Sequence, residues 1–263
     1  MTDITWLESY IREPIKIWKT IETGWDHEVH VLNGRWVLRI PREENGFIRT
    51  EQQLLLKLQI KTDIRLPVFQ SCTVPDGKEA MLYRFISGNP ISMAIPSQDM
   101  TEIAVQLGSL LSHLHHMEAD PCLPKRDESY YERLLNAVRK FYPDMPLSVI
   151  NQTEQLFSVL QTDHNAVVHG DLRGAHILWD KTTRKIGILD FSDAHVGDPA
   201  IDFAGISQVG NTFMEQVLQH YDGDKEGISL RAGQLHRLGL YYDLLQNGPS
   251  DALLKEMERE PTK

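Results

Sequence analysis

A chain of 263 residues, 41% hydrophobic and 24% charged, is long enough for one large core or two lobes and has the composition of a globular protein, which excludes disordered and fibrous classes. Its formal net charge of −10 argues against nucleic acid and anionic lipid as partners. No stretch approaches the roughly 18 apolar residues of a membrane span, and "MTDITWLESYIREPIKIWKT" at the start has no signal-like apolar block, so a cytoplasmic protein without a membrane role is expected.

The charge is uneven. Residues 1–89 hold 12 acidic and 12 basic side chains, whereas residues 90–263 hold 25 acidic and 15 basic, so the whole excess lies in the second part. Cys72 and Cys122 show no metal-type spacing and read as free thiols.

In chain order, "WDHEVHVLNGRWVLRIP" (25–41) alternates apolar and polar positions around Asn33-Gly34, a strong hairpin signal. "NGFIRTEQQLLLKLQ" then places Phe47, Ile48, Leu54, Leu55 and Leu58 near helical spacing. Pro67 opens a further strand pair broken at Pro75-Asp76-Gly77, so strand, strand, helix, strand, strand fills residues 1–86. "SGNPISMAIPSQ" is rich in Gly, Pro and Ser and gives a linker at 87–98 that coincides with the charge break. Residues 99–263 read as mostly helical, with "TEIAVQLGSLLSHLHH" amphipathic, further helices near 127–142 and 147–162, strands only at 166–190, and helices over 200–260. The expected fold class is therefore α+β, with a small antiparallel-sheet lobe joined to a larger helical lobe.

Between the strands at 166–190 lies "VVHGDLRGAHILWD" (167–180), a polar block of His169, Asp171, Arg173 and His176 held between apolar runs. Asp171 and Asp190 are 19 residues apart, and "ILWDKTTRKIGILD" reads as a hairpin that brings the two strand ends side by side at the edge of a cleft. Phosphoryl transfer needs a carboxylate to orient and deprotonate a hydroxyl, and groups that hold phosphate-bridging cations. Two such carboxylates on neighbouring loops suit it.

At these residues the chain resembles the protein-kinase-like fold and, within it, the aminoglycoside/macrolide phosphotransferase family, nearest in motif to the macrolide and 2''-aminoglycoside kinases. His169-Gly170-Asp171 is similar to the family's His-Gly-Asp, His176 stands where the family has Asn or His, and "ILDFSDAHVGDPAIDFAG" is similar to its metal-binding segment. The resemblance implies a bilobal fold: a nucleotide-binding lobe over 1–86, a hinge at 87–98, and a catalytic and acceptor-binding lobe over 99–263. It implies Asp171 as base, Arg173 as a phosphate contact, and Asp190 with His176 as magnesium ligands. On the donor side it points to Arg39 in "RWVLRIPR" paired with Glu51, to Gly24 in the phosphate turn, and to Tyr83, Arg84, Phe85 and Ile86 beside the purine of ATP or GTP. Asp202 is expected to brace the catalytic loop, His169 to hydrogen-bond within it, and "HLHH" at 113–116 to be packing rather than a metal site.

Only Phe191 to Gly197 separate Asp190 from Asp198, which leaves no activation segment and so no protein substrate. The acidic surplus suits a cationic small-molecule acceptor: an aminoglycoside, a macrolide, or a choline-like or amino-sugar metabolite. Asp222, Asp224, Glu226, Tyr241, Tyr242 and Asp243 are expected to line its pocket. Asp193 reads as a turn residue or as a third carboxylate near the metals, and is counted on the acceptor side. A catalytically inactive nucleotide-binding module and a metal-dependent hydrolase are the competing readings.

Overall fold

A computed structural model describes residues 5–21, 27–42, 48–92, 96–160 and 164–259. In chain order the elements are α1 (Thr5–Ile11), β1 (Trp18–Ile21), β2 (His27–Leu32), β3 (Trp36–Pro41), α2 (Ile48–Lys61), β4 (Phe69–Thr73), β5 (Glu79–Arg84) and β6 (Asn89–Pro90). There follow α3 (Ser97–His115), α4 (Glu128–Val138), α5 (Leu147–Val159), β7 (Ala166–Val168), β8 (Ile177–Asp180), β9 (Lys185–Ile188) and β10 (His195–Gly197). The chain closes with α6 (Ala200–Ser207), α7 (Asn211–Gln219), α8 (Lys225–His236), α9 (Leu238–Asn247) and α10 (Asp251–Glu258). No helix of the described residues is long and apolar enough to cross a membrane.

Two compact units emerge, Met1–Asn89 with Leu178–Ser192, and Pro90–Ile177 with Asp193–Lys263. A division at 87–98 puts 178–192 with the second segment, whereas in the structure it groups with the first. The reason is Arg65. Its backbone exchanges hydrogen bonds with Ile186 (3.1 Å) and Ile188 (3.0 Å), and its guanidinium donates to Asp180 (2.9 Å) and to the Lys185 carbonyl (2.8 Å).

The first unit is built on a five-stranded sheet of order β1-β2-β3-β5-β4, every described pairing antiparallel. The β2–β3 turn carries Asn33 and Gly34 at φ 52° and 66°, the left-handed pair that a tight hairpin demands. Opposed residues share a face. Leu38 faces Leu82 on one side, where Leu7 and Ile11 of α1 cover them, and Arg39 faces Met81 while Val37 faces Tyr83 on the other. That second face is the one α2 packs against, through β4 and β5. The strands β8 and β9 are neighbours in a small sheet, and their turn is held by Thr182 and Thr183 N–H groups on Asp180.

In the second unit α3 buries Ile103, Leu107, Leu110, Leu111 and Leu114 and packs on α7 and β7. The α6 helix packs on α7 and α8, α5 on α10, and α4 on α9. A two-stranded antiparallel sheet, β10-β7, opposes His195 to Val168 and Gly197 to Ala166. Its strand β7 leads directly into His169-Gly170-Asp171.

Candidate active site

In the first unit, Arg39 is buried beneath the sheet and forms a three-way contact. Nη1 donates to Glu51 Oε1 at 3.1 Å, Nη2 donates to His27 Nδ1 at 3.2 Å, and Nη2 also pairs with Asp190 Oδ1. The Phe191 backbone N–H adds a hydrogen bond to Glu51. Burial opposes the Arg39 charge, but Asp190 and Glu51 outweigh it and raise the guanidinium pKa further. Burial, then Arg39, lowers His27 to about 4, so this imidazole stays neutral and accepts. Arg39, Glu51 and Asp190, expected on the donor side, are thus brought together, with Tyr83 buried on the same sheet face.

Asp190 sits at φ 64°, an uncommon left-handed position for a side-chain-bearing residue. Its Oδ1 accepts from Ser192 Oγ at 2.8 Å as well as from Arg39, while the side chain is 38% exposed. A half-exposed hard carboxylate fits magnesium, which takes one or two carboxylates and fills its shell with phosphate oxygens and water. Among the described residues no group of three His, Cys, Asp or Glu side chains that could hold a metal ion is found. His176 is a nitrogen donor and fits magnesium less well. Its Nδ1 hydrogen-bonds the Asp171 carbonyl at 2.8 Å.

In the second unit, the loop after β7 is held from behind by one buried carboxylate. Asp202 Oδ2 accepts from the His169 N–H (2.9 Å) and Oδ1 from the Gly170 N–H (2.8 Å). His115 Nε2 lies 3.0 Å from Asp202, and His115 Nδ1 lies 3.0 Å from the Tyr221 hydroxyl. Burial would raise the Asp202 pKa, but the hydrogen bonds and charge of His115 and His169 outweigh it and leave it lowered. Two glycines make the geometry possible. A Cβ on Gly170, at φ 85°, would lie 2.2 Å from the Asp193 carbonyl oxygen, and one on Gly205 would lie 2.5 Å from the Leu172 carbonyl oxygen.

Asp171 projects from this braced loop with its side chain 37% exposed. Arg173 Nη2 is 3.3 Å from its Oδ2 and His176 Nδ1 is 3.5 Å from it. Burial pushes the carboxyl pKa up, and Asp193 adds to that against the opposing pull of His176, Arg173 and His169. His169 accepts from the Asp171 N–H through Nδ1 at 3.3 Å.

Other expected site residues divide. Tyr241 requires correction: it is fully buried, its hydroxyl donates to Thr153 at 3.2 Å, and it belongs to the α5–α9 core, not to an acceptor pocket. Arg84 follows Tyr83 on β5. Alternation along β5 turns it to the opposite face, where its guanidinium stacks 3.7 Å over Trp36. Phe85 is 45% exposed and Ile86 is buried. Gly24 lies outside the described residues. Asp222, Asp224, Glu226 and Asp243 are all exposed. Asp224 accepts from the Gly227 N–H as the cap of α8, and Asp243 from Asn247. Tyr242 is half-buried, its hydroxyl 2.9 Å from that of Tyr130.

Three contributors have no sequence signal of their own. His115 sits in the "HLHH" run and is the buried one; His113 and His116 bond only to their own helix carbonyls among the described residues. Arg231 holds Asp198 through Nε (2.7 Å) and Nη2 (3.2 Å), fixing the start of α6 where Asp198 also accepts from the Ala200 N–H. Arg126 is the third.

Residues 17–239 match the family model described as the phosphotransferase enzyme family. The chain belongs to that family. Among its members, viomycin phosphotransferase of Streptomyces vinaceus is 30% identical to this phosphotransferase-family chain over 146 residues, 51% of this chain and 50% of that protein. The match thus spans about half the length of that curated relative. The fold is shared with aminoglycoside 2'-phosphotransferase-IIIa, solved as a GDP complex, at a TM-score of 0.83 and 20% identity, covering 97% of this chain and 96% of that one. It is shared too with macrolide 2'-phosphotransferase from Brachybacterium faecium, an apoenzyme, at 0.72 and 23% identity, covering 98% and 97%. The expected kinase-like α+β fold is therefore the observed one.

Proposed function

We propose that this phosphotransferase-family protein is a small-molecule kinase. It moves the γ-phosphoryl group of ATP or GTP to a hydroxyl of an amine-bearing acceptor, an aminoglycoside or macrolide antibiotic, and so acts in antibiotic resistance in the cytoplasm. The observation that carries the reading is Asp171: an accessible carboxylate on a loop whose two preceding N–H groups are fixed by buried Asp202. Such a base orients an acceptor hydroxyl and takes its proton as the oxygen bonds to phosphorus, while the bond to the β-phosphate oxygen breaks and the nucleoside diphosphate leaves. Arg173, beside it, steadies charge on the transferring group. Arg39, kept in place by Glu51, meets the donor phosphates. Asp190 would hold magnesium, and the ion would supply charge neutralisation at those phosphates.

The test is a phosphorylation screen with ATP or GTP and magnesium over aminoglycosides, macrolides and amino alcohols, read by mass spectrometry. A phosphate adduct formed by the wild type and not by Asp171→Asn supports the reading. A nucleotide-dependent thermal shift with no adduct on any acceptor would favour an inactive nucleotide-binding module, and no shift at all a metal-dependent hydrolase.

A further inference from the structure

The second unit carries a cluster of Arg126, Tyr130 and Tyr242 that the phosphoryl-transfer steps do not themselves use. Arg126, just ahead of α4, is tied by its backbone to β10: its N–H donates to the Val196 carbonyl at 2.9 Å, and the Val196 N–H to Pro124 at 2.8 Å. Since β10 pairs with β7, Arg126 stands one strand removed from the strand that carries the Asp171 loop. Its guanidinium carbon lies 5.2 Å from the Tyr130 ring centroid and 5.9 Å from that of Tyr242. The two hydroxyls are 2.9 Å apart, and Tyr131 meets Tyr130 edge-on. Among the described residues, the carboxylate that Arg126 reaches is Asp193, at 3.4 Å, the long limit of a hydrogen bond. Arg126 is 16% exposed and Asp193 49%, so the cluster opens to solvent on the Asp193 side. Asp193 in turn packs its backbone against Gly170, next to the base.

Tyrosine faces beside a carboxylate form the construction that captures quaternary ammonium ions. Here the protein's own guanidinium occupies it. We propose that Arg126 is a specificity-determining residue that fills the Tyr130–Tyr242 cage, shuts out quaternary-ammonium acceptors, and offers hydrogen bonds to a hydroxylated amino-sugar ring. The inference rests on Asp171 as the base and narrows the acceptor class. Guanidinium N–H groups, two phenol hydroxyls and the Asp193 carboxylate can satisfy ring hydroxyls and a primary ammonium. A quaternary ammonium has no N–H for the phenol oxygens or the Asp193 carboxylate, so nothing offsets its repulsion from the Arg126 charge.

The test titrates the full chain with tetramethylammonium chloride at constant ionic strength, followed by tyrosine-ring NMR shifts. Wild type and Arg126→Lys should show no saturable binding. Arg126→Ala should show saturable binding at least about tenfold tighter than the lower limit on Kd that the wild-type titration sets, the scale of one cation–π contact, and Tyr130→Leu added to it should abolish that binding. Saturable binding by the wild type, a measurement that needs no variant to fold, would overturn the proposal. So would a folded Arg126→Ala that binds no better than wild type. The titration uses neither nucleotide nor turnover, so it can fail while phosphorylation stands, and the phosphorylation screen can fail while the cage holds.

Discussion

Replacing Asp202 by Asn tests whether one buried carboxylate sets the geometry of the His169-Gly170-Asp171 loop. The carboxylate accepts from two backbone N–H groups and from His115 with none of its surface exposed. An amide keeps one acceptor oxygen and turns an NH2 group toward the remaining donors, so one buried N–H loses its partner and the other bonds lose their charge assistance. An orphaned buried donor costs about 1–3 kcal/mol, and a hydrogen bond to a charged group is worth about 1.5–3 kcal/mol. The expected loss is therefore about 3 kcal/mol, which at about 2–4 °C per kcal/mol for a chain of this size lowers the melting temperature by about 6–12 °C. Calorimetry at pH 7 measures it. The pH dependence adds a second signature. Because the folded Asp202 pKa is lowered, its contribution to stability is complete above the ordinary aspartate range and is lost as the pH falls through the folded value. The gap between wild type and Asp202→Asn should hence be widest near neutrality and close below about pH 4. A variant that melts within about 1 °C of wild type at pH 7 would refute the argument.

Asp171→Asn should lower turnover by about 10²–10⁴-fold while nucleotide affinity by calorimetry stays nearly unchanged; turnover within about threefold of wild type would remove Asp171 as the base. Arg39→Ala leaves Glu51 buried without its cation, so it should cost about 3–5 kcal/mol in urea unfolding and weaken nucleotide binding, and equal nucleotide affinity would contradict the donor-side role. Tyr241→Phe removes only the bond to Thr153, so kcat/KM for any acceptor should match wild type; a raised KM would restore Tyr241 to the pocket. His195 is held down to about 3 by burial and then by Arg126. The unfolded chain therefore takes up the extra proton, and His195 erodes stability as the pH falls from about 6.5 toward 3. Substituting His195 by Gln should flatten the acid limb of the stability curve in that window, and an unchanged limb would place the acid sensitivity elsewhere.

The parts of the site that sequence revealed are those fixed by neighbours along the chain. Asn33-Gly34 announces a hairpin because two consecutive left-handed residues are required there. That hairpin carries Arg39 to the sheet face opposite Leu38 by alternation alone. The same alternation turns the Arg84 side chain to the face opposite Tyr83. Tyr241 and Tyr242 differ for a reason no local pattern contains. Consecutive residues on α9 point about 100° apart, and which one enters the core depends on where α5 packs, which Thr153 and Phe157 decide. Asp202 shows the limit most clearly. Its place after Gly-Asp-Pro suggests a brace, yet what keeps a carboxylate charged in a dry interior is His115, 87 residues earlier in the chain. A helix-end histidine beside two exposed ones carries no sign that it alone turns inward. The rigidity of the loop that carries Asp171, the proposed base, thus depends on a contact set by the packing of α3 on α7 and β7. A change in that packing should therefore reach the chemistry through Asp202 without touching any residue of the motif.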